Sequence, residues 1–210
     1  RHGRAAGPHR QQIDGNDGRE DRTAGRERRQ GDDPQLDGAE RGHCADEKNV
    51  KDLRMVFGYK MNGPFKPVTR VPKEEIYQGE EMIGRAYSNG SGADWALVKL
   101  DRKVTGHPQV KLSEKPINLN QAVYIIGYPC GLPLKYSAGS QVRGIHDSFL
   151  TADLDVYCGN SGSPVFDRET HEVIGMVARG DSQDFRWTGK GWLSIIYPNP
   201  VYRSTEPQCT

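Results

Sequence analysis

Gly159-Asn160-Ser161-Gly162-Ser163-Pro164-Val165-Phe166 places a serine close between two glycines, just ahead of an apolar run. That spacing suits a tight turn which exposes the hydroxyl and directs backbone N–H groups inward beside it. The N–H groups of Gly159 and Ser161 can then face the charge that builds on an attacked carbonyl, which makes an oxyanion hole. An ordinary Gly/Ser β-turn is the plainer reading of the same residues. The G-x-S-x-G elbow does not fit, because Ser163 stands two residues after Ser161. A serine hydroxyl also needs a base to take its proton. Gly42-His43-Cys44-Ala45 supplies an imidazole next to small residues. Asp94 opens the run Asp94-Trp95-Ala96-Leu97-Val98-Lys99-Leu100, where a carboxylate can be buried against an imidazole. Taken singly, His43 reads as a surface histidine and Asp94 as a turn residue at a strand start. The three contexts together point to a His-Asp-Ser set for acyl transfer.

Short strands must position these groups. Leu53–Tyr59, Glu75–Tyr77, Met82–Tyr87, Ala122–Ile126, Ser148–Thr151, Ser163–Phe166, Val173–Val177 and Trp192–Tyr197 are β-rich runs. Asn89-Gly90-Ser91-Gly92 marks a turn, and Gly127-Tyr128-Pro129 ends the central run. Trp95, Leu97 and Leu100 recur near period two, with Lys99 polar. Residues from about Arg102 to Leu119, rich in Lys, Pro and polar groups, read as a crossing between two β units. No long amphipathic helix and no internal repeat appears. The pattern is that of an all-β sandwich or barrel.

Residues 1–42 differ from the rest. They hold nine Arg, no Lys, nine acidic residues and no aromatic, with Ile13 and Leu36 as their large aliphatics. So little apolar area does not offset ordering entropy, and the segment is expected to be disordered. It reads either as a natural charged tail or as a cloning or reading-frame artefact. Over all 210 residues the net charge is +1, which favours neither nucleic acid nor an anionic membrane as partner. No apolar run reaches membrane-spanning length, and no hydrophobic signal segment opens the chain. That leaves an intracellular protein, or a sequence without its true start. Cys44, Cys130, Cys158 and Cys209 show no CxxC pair or zinc-ligand spacing. They read as a sparse disulfide set or as buried thiols.

From His43 to about Arg179, roughly two-thirds of the chain, the sequence resembles the trypsin-like serine peptidases of the chymotrypsin-fold superfamily. It looks most like their bacterial, glutamyl-endopeptidase-like branch. GHCA, DWALVKL, IGYPCGLPLKY, LDVYCGNSGSPVF and HEVIGMVARG carry the resemblance. It implies two antiparallel β-barrels with the active site in the cleft between them. The expected units are a disordered 1–42, a partial first barrel at 43–112 with His43 and Asp94, and a second barrel at 113–210 with Ser161. Ser161 would be the nucleophile, His43 the general base and Asp94 its orienting partner, in the chain order His, Asp, Ser. Ala178, Arg179 and Gly180 would form the strand on which an extended peptide substrate pairs. No cofactor or metal is required. A secreted or periplasmic monomer acting on peptides, without nucleic acid or membrane, is expected.

The resemblance also has consequences at single positions. Asp155 lies six residues before Ser161, the spacing of the carboxylate at the base of the specificity pocket, which favours Lys or Arg in the substrate. The branch often prefers Glu, and Arg179 can pair with an acidic side chain. That branch uses a Thr and a His where Val156 and Val177 stand here, so the balance leans to a basic residue. Cys130 and Cys158 would meet in a disulfide, or remain two separate thiols. Asn160 replaces the Asp that pairs with a new N-terminus in animal relatives, so activation here does not use that ion pair. The strands before His43, the partner of Cys44 and a closing helix are missing from the pattern, so the first barrel is expected to be incomplete with an open edge. Two competing readings follow: an inactive β-barrel that binds extended peptides, and a metal site around His43 and Cys44, which no ligand spacing supports.

Overall fold

Alternation along a single strand shows how the first sheet forms. In the computed structural model, which describes residues 11–15, 38–40, 42–88, 92–180 and 184–195, Asp94, Ala96, Val98 and Leu100 are buried. The intervening Trp95 is 40% exposed, and Leu97 and Lys99 are half-buried. The inward phase is therefore the even positions, opposite to that suggested by Trp95 and Leu97. Ala96 and Val98 are smaller than Trp95, but they fit the close approach of the neighbouring backbone. The consequence is that Asp94 belongs to the core face of its own strand.

Chain order is β1 (Gln11–Gly15), β2 (Gly38–Glu40), β3 (Arg54–Val56), β4 (Ile76–Tyr87), β5 (Asp94–Leu100), β6 (Ala122–Gly127), β7 (Lys135–Ile145), β8 (Leu150–Ala152), β9 (Pro164–Asp167), β10 (Val173–Arg179), β11 (Phe185–Trp187) and β12 (Trp192–Ser194). Strands β2-β5-β4-β3 make an open four-stranded sheet, and β1-β10-β9-β6-β7-β8 close a barrel. β11 and β12 form a separate hairpin. The architecture is all-β, with the first barrel incomplete, as expected. Two cores match the two units. Tyr77, Val98 and Leu100 centre the first. Val123, Ile125, Val142, Leu154 and Val165 fill the second. No described helix is long and apolar enough to cross a membrane.

Three differences from the sequence reading have physical causes. β4 is one continuous strand across Gln78–Glu81, because polar side chains on a half-solvated face do not break pairing. β7 went unrecognised in Lys135–Ile145, a Gly- and Ser-rich stretch whose ladder to β6 and β8 depends on backbone groups rather than apolar residues. Residues 1–42 also hold two strands. β1 pairs antiparallel with both β8 and β10, and β2 pairs with β5. Composition tests side-chain burial, whereas a barrel gap recruits any segment with backbone N–H and C=O groups to offer. Residues 89–91 of the expected turn, Ile196 and Tyr197, Cys209 and the rest of the C-terminal segment lie outside the described residues.

Gly79 gives a direct test of how β4 meets the preceding 3-10 turn. A Cβ there would lie 2.2 Å from the Val50 carbonyl oxygen and 3.3 Å from a Val98 methyl. Gly79→Ala should cost at least about 2 kcal/mol, because backbone rather than a flexible side-chain end is struck. For a chain of this size that lowers Tm by roughly 4–8 °C. An unchanged melting curve would mean the turn is not held against β4 as described.

Candidate active site

Gly42 is buried in the turn after β2, and a Cβ on it would meet the carbonyl oxygens of Ala86 at 2.4 Å and Trp95 at 2.9 Å. Only glycine lets this turn lie against the backbones of β4 and β5. Arg85 Nε donates to the Gly42 carbonyl at 2.5 Å. His43 is thereby brought over the first residue of β5. Its backbone N–H donates to Asp94 Oδ1 at 3.0 Å, and its Nδ1 lies 2.7 Å from Asp94 Oδ2. Asp94 is fully buried, while the His43 side chain is 29% exposed. A buried carboxylate on Nδ1 holds the proton there and leaves the Nε2 lone pair for a base's work. The Tyr87 ring stands 5.9 Å from the imidazole.

Ser161 sits in a turn between the second core and β9. Ser163 N–H donates to the Asn160 carbonyl at 2.9 Å, and Gly162 has φ +80°, the backbone that a type II turn requires at its third position. Gly162 N–H donates to the Val177 carbonyl, and Val177 N–H donates to the Ser163 carbonyl, each at 2.9 Å. These bonds pin the turn to β10 on both sides of the half-buried Ser161. Gly159 has φ +90°, and a Cβ there would lie 2.8 Å from Cys130 N. Asn160 is buried beside Gly127, where a Cβ would meet Asn160 Oδ1 and Ser163 Oγ, each at 2.3 Å. Both glycines therefore serve close approach around the nucleophile turn.

The remaining expected site residues are less uniform. Asp155 is exposed between buried Leu154 and Val156, so strand-like alternation turns its carboxylate outward. Ala178 is fully buried, and Arg179 and Gly180 are half-buried at the end of β10. The β1–β10 register skips Ala178, pairing Gln12 with Arg179 and Ile13 with Val177, which is a bulge next to the nucleophile turn. β9 ends its pairing with β10 at Met176. Arg179 Nη2 donates to the carbonyls of Ser88 and Gly92 at 3.0 and 3.1 Å, tying β10 to the loop before Asp94. Its Nη1 is buried without a partner among the described residues.

The expected Cys130–Cys158 disulfide is absent, since Cys130 carries a free, exposed thiol. The two loops meet through backbone instead, Cys130 N–H donating to the Cys158 carbonyl at 2.6 Å. Cys130 itself takes φ +52° in this turn. Partial burial, and then the charge of Asp184, push the Cys130 thiol above its ordinary range. Iodoacetamide should therefore alkylate Cys130 in native, unreduced protein, slowly at neutral pH and faster as pH rises and the thiolate forms. Peptide mass mapping checks this; finding Cys130 only in disulfide form would overturn it.

Asp184 was missed by sequence reasoning. It is 6% exposed, and its Oδ2 accepts the Cys158 N–H at 2.7 Å. Oδ1 is buried without a partner among the described residues. No local motif surrounds it, so nothing in the sequence distinguishes it from a loop acid. No group of His, Cys, Asp and Glu suited to a metal is present among the described residues.

A family model described as the trypsin-like peptidase domain matches residues 42–176. No curated protein matches the chain. Among solved structures, one similar chain is an inactive serine-to-alanine mutant of Rv3671c from M. tuberculosis H37Rv. It shares 18% identity at a TM-score of 0.39 over 54% of this chain and 58% of that one. Another is the Rv3671c protease in an inactive form, at 20% identity and a TM-score of 0.38 over 52% of this chain and 61% of the other. The chain thus spans about three-fifths of the length of these structures.

Proposed function

The chain belongs to the trypsin-like peptidase domain family, and on that footing we propose that it is a serine endopeptidase working through His43, Asp94 and Ser161. The observation that carries the reading is the double contact of His43 with the buried Asp94, through backbone N–H and Nδ1 together. His43 takes the Ser161 proton as the hydroxyl attacks the peptide carbonyl, and Asp94 stabilises the imidazolium that results. The Gly159 and Ser161 N–H groups receive the oxyanion. His43 then protonates the leaving amine, an acyl-enzyme remains on Ser161, and water releases the acid by the same steps.

The open stretch of β10 beyond its pairing with β9 supports Ala178–Gly180 as the strand that receives an extended peptide. A protein or peptide substrate, a monomeric enzyme and a secreted or periplasmic setting belong to the same reading. Membership of the glutamyl-endopeptidase-like branch rests on motif resemblance, and the buried Val156 and Val177 offer no hydrogen-bond donor to an acidic side chain. An aryl organophosphonate probe tests the function on the full chain. Covalent labelling confined to Ser161, blocked by denaturation, is expected. Absence of labelling in folded protein would favour the peptide-binding, inactive barrel instead.

A further inference from the structure

We propose that Asp184 is the carboxylate that selects the substrate side chain, taking the ammonium of lysine or the guanidinium of arginine in the role the sequence suggested for Asp155. This rests on the serine endopeptidase reading and adds its substrate class. The geometry begins at the nucleophile loop. Asp184 Oδ2 is held by the N–H of Cys158, three residues before Ser161. Its main chain is fixed as well, since its carbonyl accepts the Ile195 N–H at 3.0 Å. The next residue, Phe185, stacks on Tyr157 with ring centroids 5.5 Å apart, and Tyr157 Oη lies 2.5 Å from Ser194 Oγ. Residues 157–158 and 184–185 thus form two facing walls, with one carboxylate oxygen anchored and the other open.

That open oxygen is the unusual feature. An ionised carboxylate has about four acceptor sites, and burying it with a single N–H partner is costly. Asp184 Oδ1 is buried and has no hydrogen-bond partner among the described residues. Backbone amides of the loop cannot repay this, because the one nearby is already on Oδ2. A cation with several donors can, and a lysine or arginine side chain beside the scissile bond arrives with three or five N–H groups. The negative charge is also felt across the loop, where it helps raise the Cys130 thiol. Asp155 lacks all of this, being solvated between two core residues. Arg179 is the rival, since its unpartnered Nη1 can receive an acid. Its other amino group is committed to the Ser88 and Gly92 carbonyls on the first sheet, away from the Cys158 wall.

The test compares wild type, Asp184→Asn and Asp155→Asn as full chains. Asparagine keeps shape and keeps an acceptor for the Cys158 N–H, but removes the charge. Readouts are cleavage of a mixed fluorogenic peptide library, calorimetric binding of benzamidine as a simple aryl amidinium, and phosphonate labelling of Ser161. Wild type should cut after Lys or Arg and bind benzamidine. Asp184→Asn should lose both by roughly a hundredfold or more while still labelling. Asp155→Asn should stay within about threefold of wild type, as expected for a solvated acid. Wild type that labels but cuts after Glu or Asp overturns the Asp184 assignment alone and moves recognition to Arg179. So does Asp184→Asn with undiminished benzamidine affinity, or loss on Asp155→Asn instead. Folded wild type that neither labels nor cuts overturns the enzyme reading, while benzamidine binding abolished by Asp184→Asn still supports the cation site. If Asp184→Asn does not fold, wild type decides: no saturable benzamidine binding overturns the proposal.

Discussion

Ser161→Ala is expected to remove peptidase activity almost entirely while leaving the fold intact. Without Oγ there is no nucleophile, no acyl-enzyme and nothing for His43 to deprotonate. Losing one member of such a set typically removes several orders of magnitude of rate. What remains is about 10³–10⁴ over the uncatalysed reaction, from the oxyanion hole and substrate positioning. Stability should move little, because the turn is held by other atoms. Its bonds run from Ser163 N–H to Asn160, from Gly162 N–H to Val177 and from Val177 N–H to Ser163. A change within about 1 kcal/mol is expected for one hydroxyl, a Tm shift of roughly 2–4 °C. Active-site titration, kcat/KM on the preferred peptide and a thermal melt together check this. Retained activity in a folded variant means another residue attacks.

Asp94→Asn should cost nearly as much, by a different route. Asp94 is fully buried and accepts two contacts from one residue, the N–H and the Nδ1 of His43. Asparagine can still accept the backbone N–H with its carbonyl oxygen. Its NH₂ group then meets Nδ1, which favours the tautomer with the proton on Nε2. That imidazole points an N–H at Ser161 and cannot take its proton. A fall of about 10⁴ in kcat, with KM changed far less, is the expected signature of a lost tautomer rather than lost binding. A melt close to that of wild type separates this from unfolding. Activity within tenfold of wild type would show that Asp94 does not orient the base.

The chemistry was legible because its signals are local. Gly159, Ser161 and Gly162 specify a turn within four residues, and the turn is there with positive φ at both glycines. Asp94 stands in phase with Ala96, Val98 and Leu100, and that alternation buries it. The sequence alone misjudged the phase, because it weighed Trp95 by size. Which face of a strand turns inward depends on what the neighbouring strands leave room for. β7 and β1 escaped notice for a related reason, since their ladders are made by backbone groups that every residue carries.

What the sequence by itself determined is therefore the turn chemistry, the run of short strands and the candidate identities of Ser161, His43 and Asp94. What only the tertiary structure decided is which distant groups meet. His43 reaches Asp94 across 51 positions, and Cys158 reaches Asp184 across 26. Cys130 and Cys158 are equally distant neighbours in sequence, yet they share a backbone bond and no disulfide. Such meetings follow from sheet register, and a one-residue slip reverses every inward side chain. Asp155 and Asp184 look alike as letters. Leu154 and Val156 take the core and turn the first outward, while the Cys158 amide and the Tyr157–Phe185 stack hold the second inward beside the nucleophile loop.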